Sequence, residues 1–135
     1  MLTLKELPTA SASQVFHQAA FHMLNQFEKS LAGSTCAYRG DGNKMCAAGC
    51  FISDAEYNIN LEDYTWRQLV EMGAVPKHHR DLIQRLQDVH DNSSLEAWAN
   101  ELYHLGKSHG ISTDLYALMV KRGLSARIQE VHNGP

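Results

Sequence analysis

The chain has 135 residues, 44% of them hydrophobic and 20% charged, with a formal charge of -3. That length suits one domain with a core of its own, and the composition excludes wholesale disorder. Fifteen acidic side chains outnumber twelve basic ones, so the cationic surplus that releases counterions from phosphates is missing and direct nucleic-acid binding is disfavoured.

The opening segment Met1 to Pro8 has no basic stretch followed by a long apolar run, and no later stretch would span a bilayer. The expectation is a cytoplasmic protein without a membrane partner. Three cysteines crowded between Cys36 and Cys50 do not resemble a secreted disulfide framework, so reduced thiols are expected.

Ser11 and Gln14 make a capping box ahead of Phe16, Ala20, Met23, Phe27 and Leu31, which predicts a first helix closed by Gly33. Between Cys36 and Cys46, the residues Gly40-Asp41-Gly42-Asn43 separate two short runs and predict a β-hairpin. Ala47 to Ile52 suits either an extension of the second strand or a helical turn. Ser53 to Tyr64 reads as a polar loop. Thr65 caps a short helix bearing Trp66, Leu69 and Val70, which Gly73 ends.

Pro76 is expected to open the next helix, with Leu82, Ile83, Leu86, Val89 and His90 on one face and Lys77, Arg80, Gln84 and Asp88 on the other. Ser93 and Glu96 then cap a helix that buries Leu95, Trp98, Ala99 and Leu102. A last helix begins near Ser112 or Thr113 and runs through Leu115, Leu118 and Met119 to Gly123, before a tail frayed at its end, Leu124 to Pro135. No repeat or break in composition divides the chain. The expected architecture is α+β, mainly α: a single domain over residues 1–135, with frayed termini, in which about five helices pack with one short β-hairpin against the face of Leu82 and Leu86.

The cysteines admit three chemistries. In a helix, Cys46 and Cys50 have Cα atoms about 6 Å apart and share a zinc ion readily, whereas in a strand they lie about 13 Å apart and do not. A zinc site would also need Cys36 and a histidine, with His90, His78 and His79 as candidates; buried small thiols that bind no metal are the simpler expectation. A disulfide depends on register: loops of two or four residues set Cys36 opposite Ala47, and a three-residue loop of Gly40, Asp41 and Gly42 sets it opposite Cys46. Catalysis would use Cys46 or Cys50 as nucleophile with His90 and Asp91. Helical neighbours diverge by about 100°, however, so Asp91 is not expected to orient the His90 ring. A core-edge histidine bonded to a backbone carbonyl is the alternative for His90.

The turn offers recognition instead. Arg39 and Lys44 flank Gly40, Asp41 and Gly42, so that two cations beside exposed amides suit an anion or a carboxylate, while the plain alternative is a solvated hairpin tip. Asp54, Glu56, Glu62 and Asp63 make an adjoining acidic loop that suits a weakly held cation or a basic partner, while a solvated charge run is the plainer reading. His17 and His22 are five apart, which is not the spacing of a metalloprotease helix, and solvated side chains are expected for both. His78, His79 and Arg80 at a helix start oppose the dipole and suit a contact patch.

Three segments in order carry a resemblance: the helix Gln14 to Leu31, the run from Cys36 through Tyr38-Arg39-Gly40 and Lys44-Met45-Cys46-Ala47-Ala48-Gly49 to Asp54, and Leu86-Gln87-Asp88-Val89-His90-Asp91. The chain resembles a family of small, mostly uncharacterised proteins encoded by phages and prophages, with Cys-x-Tyr-Arg-Gly, Lys-Cys-Ala-x-Gly and Leu-Gln-x-x-His-Asp elements. Met45 separates a Lys and a Cys that are adjacent in that family, as a β-bulge would. The resemblance implies a phage context, in which small acidic proteins act on host machinery, including host defence.

The function expected from the sequence is therefore a phage-type interaction protein. It would bind a host protein in the bacterial cytoplasm, in the manner of an anti-CRISPR inhibitor of a defence complex, through the hairpin (Arg39, Gly40, Asp41, Gly42, Lys44) and the acidic loop (Asp54, Glu56). No cofactor is implied. A small cysteine-dependent enzyme and a binder of a small anionic ligand at the turn are the alternatives, and the sequence leaves the oligomeric state open.

Overall fold

A computed structural model of the protein describes residues 1–112. The expected last helix and the tail lie outside those residues. Among the described residues the architecture is mainly helical α+β, with four α-helices and two very small antiparallel sheets.

A 3-10 helix at Leu4–Thr9, not expected from the sequence, buries Leu4 and Leu7. Helix α1 (Ala12–Gln26) starts at the Ser11/Gln14 capping box, as expected, and buries Val15, Phe16, Ala19, Ala20, Met23 and Leu24. It stops earlier than expected. Phe27, not Gly33, ends it in the left-handed region at φ 49. A non-glycine residue there carries strain of about 1–3 kcal/mol, and burial of the Phe27 ring, edge-on to Trp98 at 6.2 Å, offsets it.

The single expected hairpin is two hairpins. Strands β1 (Leu31–Ala32) and β2 (Thr35–Cys36) pair Leu31 with Cys36, and β3 (Arg39–Gly40) and β4 (Lys44–Met45) pair Arg39 with Met45. The loop between β3 and β4 is Asp41–Asn43, with Gly42 and Asn43 both at positive φ. Neither expected register for Cys36 holds, because it belongs to the first hairpin. Gly40 lets the two hairpins touch: a Cβ there would lie 2.5 Å from Ser30 Oγ and 2.7 Å from Leu31 N. Pairing is regular across Met45, so no bulge re-aims Cys46.

After β4 the chain turns helically, with Cys50 N donating to Cys46 O, into a 3-10 turn at Gly49–Phe51. Helix α2 (Trp66–Glu71) starts at the expected Thr65 cap, which Gln68 completes as a capping box, and Gly73 follows it at φ 73. Helix α3 (Arg80–Asn92) begins at Arg80, four residues after Pro76, because His79 takes the left-handed cap at φ 63. Leu82, Ile83, Leu86 and His90 face the core as expected, but Gln84, expected on the solvent side, is buried. Ser93 caps the end of α3 rather than the start of the next helix; a 3-10 turn at Leu95–Ala97 leads instead into α4 (Trp98–Ser108). Helix α3 packs on α1, α2 and α4 and is the centre of the core. No described helix is long and apolar enough to cross a membrane.

Candidate functional site

Ser30, just before β1, is fully buried and makes three bonds: its N–H donates to His90 Nε2 at 3.0 Å, its Oγ donates to Ala37 O at 2.8 Å, and its carbonyl accepts from Ala37 N. A nitrogen that accepts an N–H bears a lone pair, so the proton of His90 is on Nδ1, which donates to Asp91 Oδ1 at 2.8 Å. The ring stacks on Trp98 with centroids 5.4 Å apart. Asp91 therefore does orient His90, contrary to the expectation from helical divergence, because the short carboxylate folds back on its own neighbour at the helix end. His90 is a core histidine as the simpler alternative held, but its partner is a backbone N–H rather than a carbonyl.

Cys36, half-buried on β2, completes this group. Its Sγ lies within 4.8 Å of the His90 and Asp91 ligand atoms, and burial, then the charge of Asp91 and hydrogen bonding to its carboxylate, raise the thiol pKa while Lys29 lowers it. Cys36, His90 and Asp91 are the one trio of metal-ligating side chains drawn together among the described residues, with ligand atoms within 4.8 Å. They do not fit a metal well. Nδ1 would have to lose its proton to bind an ion, and the neutral ring would then carry it on Nε2, against the Ser30 N–H.

The other two thiols are elsewhere. Cys46 Sγ accepts from Gly49 N and Cys50 Sγ donates to Ala47 O. Burial raises both pKa values, that of Cys50 to about 12. Although the helical turn is the backbone that would let them share zinc, both are protonated and internally bonded, and neither joins Cys36 and His90. A Cys46–His90 or Cys50–His90 catalytic pair is not assembled, since both ring nitrogens of His90 are engaged by Ser30 and Asp91.

The turn residues are largely committed to the fold. Arg39 donates from Nη1 to Asp54 at 2.6 Å and from Nη2 to Ile52 O at 2.7 Å, and lies over the Tyr57 ring. Lys44 pairs with Glu28 at 3.2 Å, and Asp41 accepts from Gly33 N. Glu56 accepts from Leu4 N, Lys5 N and Ser53 N; burial works against its charge, but these bonds outweigh it and lower its pKa. Gly42 is the exposed tip. His22 is not solvated: it bonds Met45 O at 2.8 Å, and burial lowers its pKa. His79 bonds Ala10 O, leaving exposed His78 and Arg80 as the rest of that patch.

The surface feature that remains is a cleft of about 280 Å³ between β2, the 62–65 segment and α3. Four carboxylates line it, those of Glu62, Asp63, Asp88 and Asp91, and no lysine, arginine or histidine does. Lys29 is the nearby cation, and its Nζ donates to the Asp91 carbonyl. Glu62 is a structural acceptor, taking Tyr38 N, Arg39 N and the Tyr57 hydroxyl. Asp88 accepts one bond, from Gln84, and Asp63 has no partner among the described residues. Gln84 and Gln87 wall the cleft and tie it to the core by accepting from Arg67 N and Ala48 N. Sequence reasoning assigned Glu62 and Asp63 to the acidic loop but missed Asp88, whose spacing from Asp91 and Gln84 on α3 was the available signal. The chain matches no family model, no curated protein and no solved structure.

Proposed function

We propose that the protein is a recognition module of the phage type that its sequence resembles, binding a host protein through the acidic cleft rather than through the cationic flanks of the turn. The observation that carries this reading is a concave site lined by four carboxylates and no cation. Such a field attracts lysine- and arginine-bearing surfaces and repels polyanions. Proteins that handle nucleic acid present such basic surfaces, so a component of a host defence complex is a partner of the right chemistry. The thiols support recognition over catalysis: burial is the leading cause raising the pKa of each, which depletes the thiolate that a nucleophile requires.

The test is capture of partners from a bacterial lysate on the immobilised full chain, beside an Asp63→Lys/Asp88→Lys double variant. Retention of a basic protein by the wild type and its loss from the variant are expected. Capture of nothing, or equal capture by both, sinks the reading.

A further inference from the structure

A second hollow of about 300 Å³ adjoins the acidic cleft, lined by Ala32, Arg39, Tyr57 and Ile59, and the two share the ridge of Cys36, Glu62 and Asp63. The two differ in character. In the second hollow Arg39 is already paired with Asp54 and stacked on Tyr57, with only its buried Nε left without a partner, and Glu62 accepts three bonds, so little polar capacity remains open there. Ile59 is 71% exposed at its edge, and Tyr64, 43% exposed, lines the acidic cleft. Two of the five large hydrophobic side chains exposed among the described residues thus flank one composite surface.

Resting on the recognition reading, we infer that the two hollows together dock an extended basic segment of the partner protein. It places a lysine or arginine among Asp63, Asp88 and Asp91, and an apolar side chain two positions away against Tyr57 and Ile59. Alternate residues of an extended strand point to the same side about 7 Å apart, which suits hollows that share a wall. The carboxylates set the sign of the partner's charge, and the exposed Ile59 and Tyr64 supply the desolvated contacts that charge alone does not. Neither acidic segments nor nucleic acid fit.

Cys36 on the shared ridge gives the test a built-in reporter, since Cys46 and Cys50 are buried. The full chain is titrated with peptides carrying Arg-Ser-Leu or Leu-Ser-Arg in a Gly/Ser frame, and with Arg-Ser-Ser and Ser-Ser-Leu controls. At least one bipartite order is expected to bind about tenfold or more tighter than either control and to slow Cys36 alkylation. Asp63→Asn/Asp88→Asn and Ile59→Asp, all exposed and checked for unchanged circular dichroism, should each weaken it by about tenfold. Equal binding of Arg-Ser-Ser, or indifference to Ile59→Asp, overturns the bipartite surface. If no peptide binds while partner capture is still lost on reversing Asp63 and Asp88, this inference fails and the recognition reading stands. If capture also ignores the reversal, both fail.

Discussion

Ser30 donates its backbone N–H to Nε2 of His90 across 60 positions of sequence, at 3.0 Å and fully buried. That one bond fixes the tautomer of the histidine, the position of Asp91 and, through Asp91, the state of the Cys36 thiol. Replacing His90 by alanine removes the ring stacked on Trp98 and leaves the Ser30 N–H without an acceptor in the core. A loss of about 3–5 kcal/mol in urea or guanidinium unfolding is expected. A loss below about 1 kcal/mol would show that the bond does not organise the core.

Thiol chemistry separates the three cysteines. A disulfide reagent at neutral pH should modify Cys36 slowly and leave Cys46 and Cys50 untouched until the chain unfolds, as their burial requires. Asp91→Asn removes a negative charge that raises the Cys36 pKa, so the variant should react faster. Fast native labelling of Cys46 or Cys50, located by peptide mass mapping, would contradict the structure.

Acid should weaken the fold in two steps. His22 has a native pKa below its ordinary 6.5, chiefly through burial, so the unfolded chain binds the proton more readily. Its contribution is fully present above pH 6.5 and is lost as pH falls toward the native value. Glu56 is also held below its ordinary 4.5, so its contribution is present above pH 4.5 and is lost as pH falls through its native value. Urea midpoints measured from pH 7 to pH 3 should decline through both ranges. His22→Gln should flatten the first decline and Glu56→Gln the second; unchanged profiles would refute these assignments.

Gly40 and Gly42 stand two apart and should respond differently to alanine. At Gly40 the added Cβ meets Ser30 Oγ and the Leu31 backbone, so a cost above about 2 kcal/mol is expected. At Gly42 there is open space and only φ +70 to oppose the substitution, for about 1 kcal/mol. Equal costs in denaturant unfolding would mean that the two hairpins are not pressed together at Gly40.

Capping chemistry made the starts of α1 and α2 legible, since Ser11/Gln14 and Thr65/Gln68 satisfy orphan N–H groups by local bonds alone. The apolar face of α3 was equally readable from its period. What sequence could not show were decisions taken by tertiary partners: Phe27 ends α1 because Trp98 holds its ring, and His79 delays α3 because Ala10 O accepts its imidazole. The candidate site was legible in part. His90 and Asp91 were named together as catalytic candidates with no bond expected between them; the structure bonds them, and Cys36 joins them rather than Cys46 or Cys50, because the chain pairs Cys36 back toward Leu31. Arg39 and Lys44 looked like free cations only because Asp54 and Glu28 are distant in sequence.

Gln84 and Gln87 separate two jobs on one helix. Their amides lock α3 to the backbone of Arg67 and Ala48, and the carboxylates of Asp88 and Asp91 accept from the same two side chains. Asp63 has no partner among the described residues, and exposed Asp88 makes a single bond, accepted from Gln84 Nε2, so the anchors of Gln84 to Arg67 N and Gln87 to Ala48 N run through neither carboxylate. The cleft is therefore a socket whose electrical polarity can be rewritten without refolding the body behind it, so variants with lysine at these two positions would present the same shape to a partner of opposite charge.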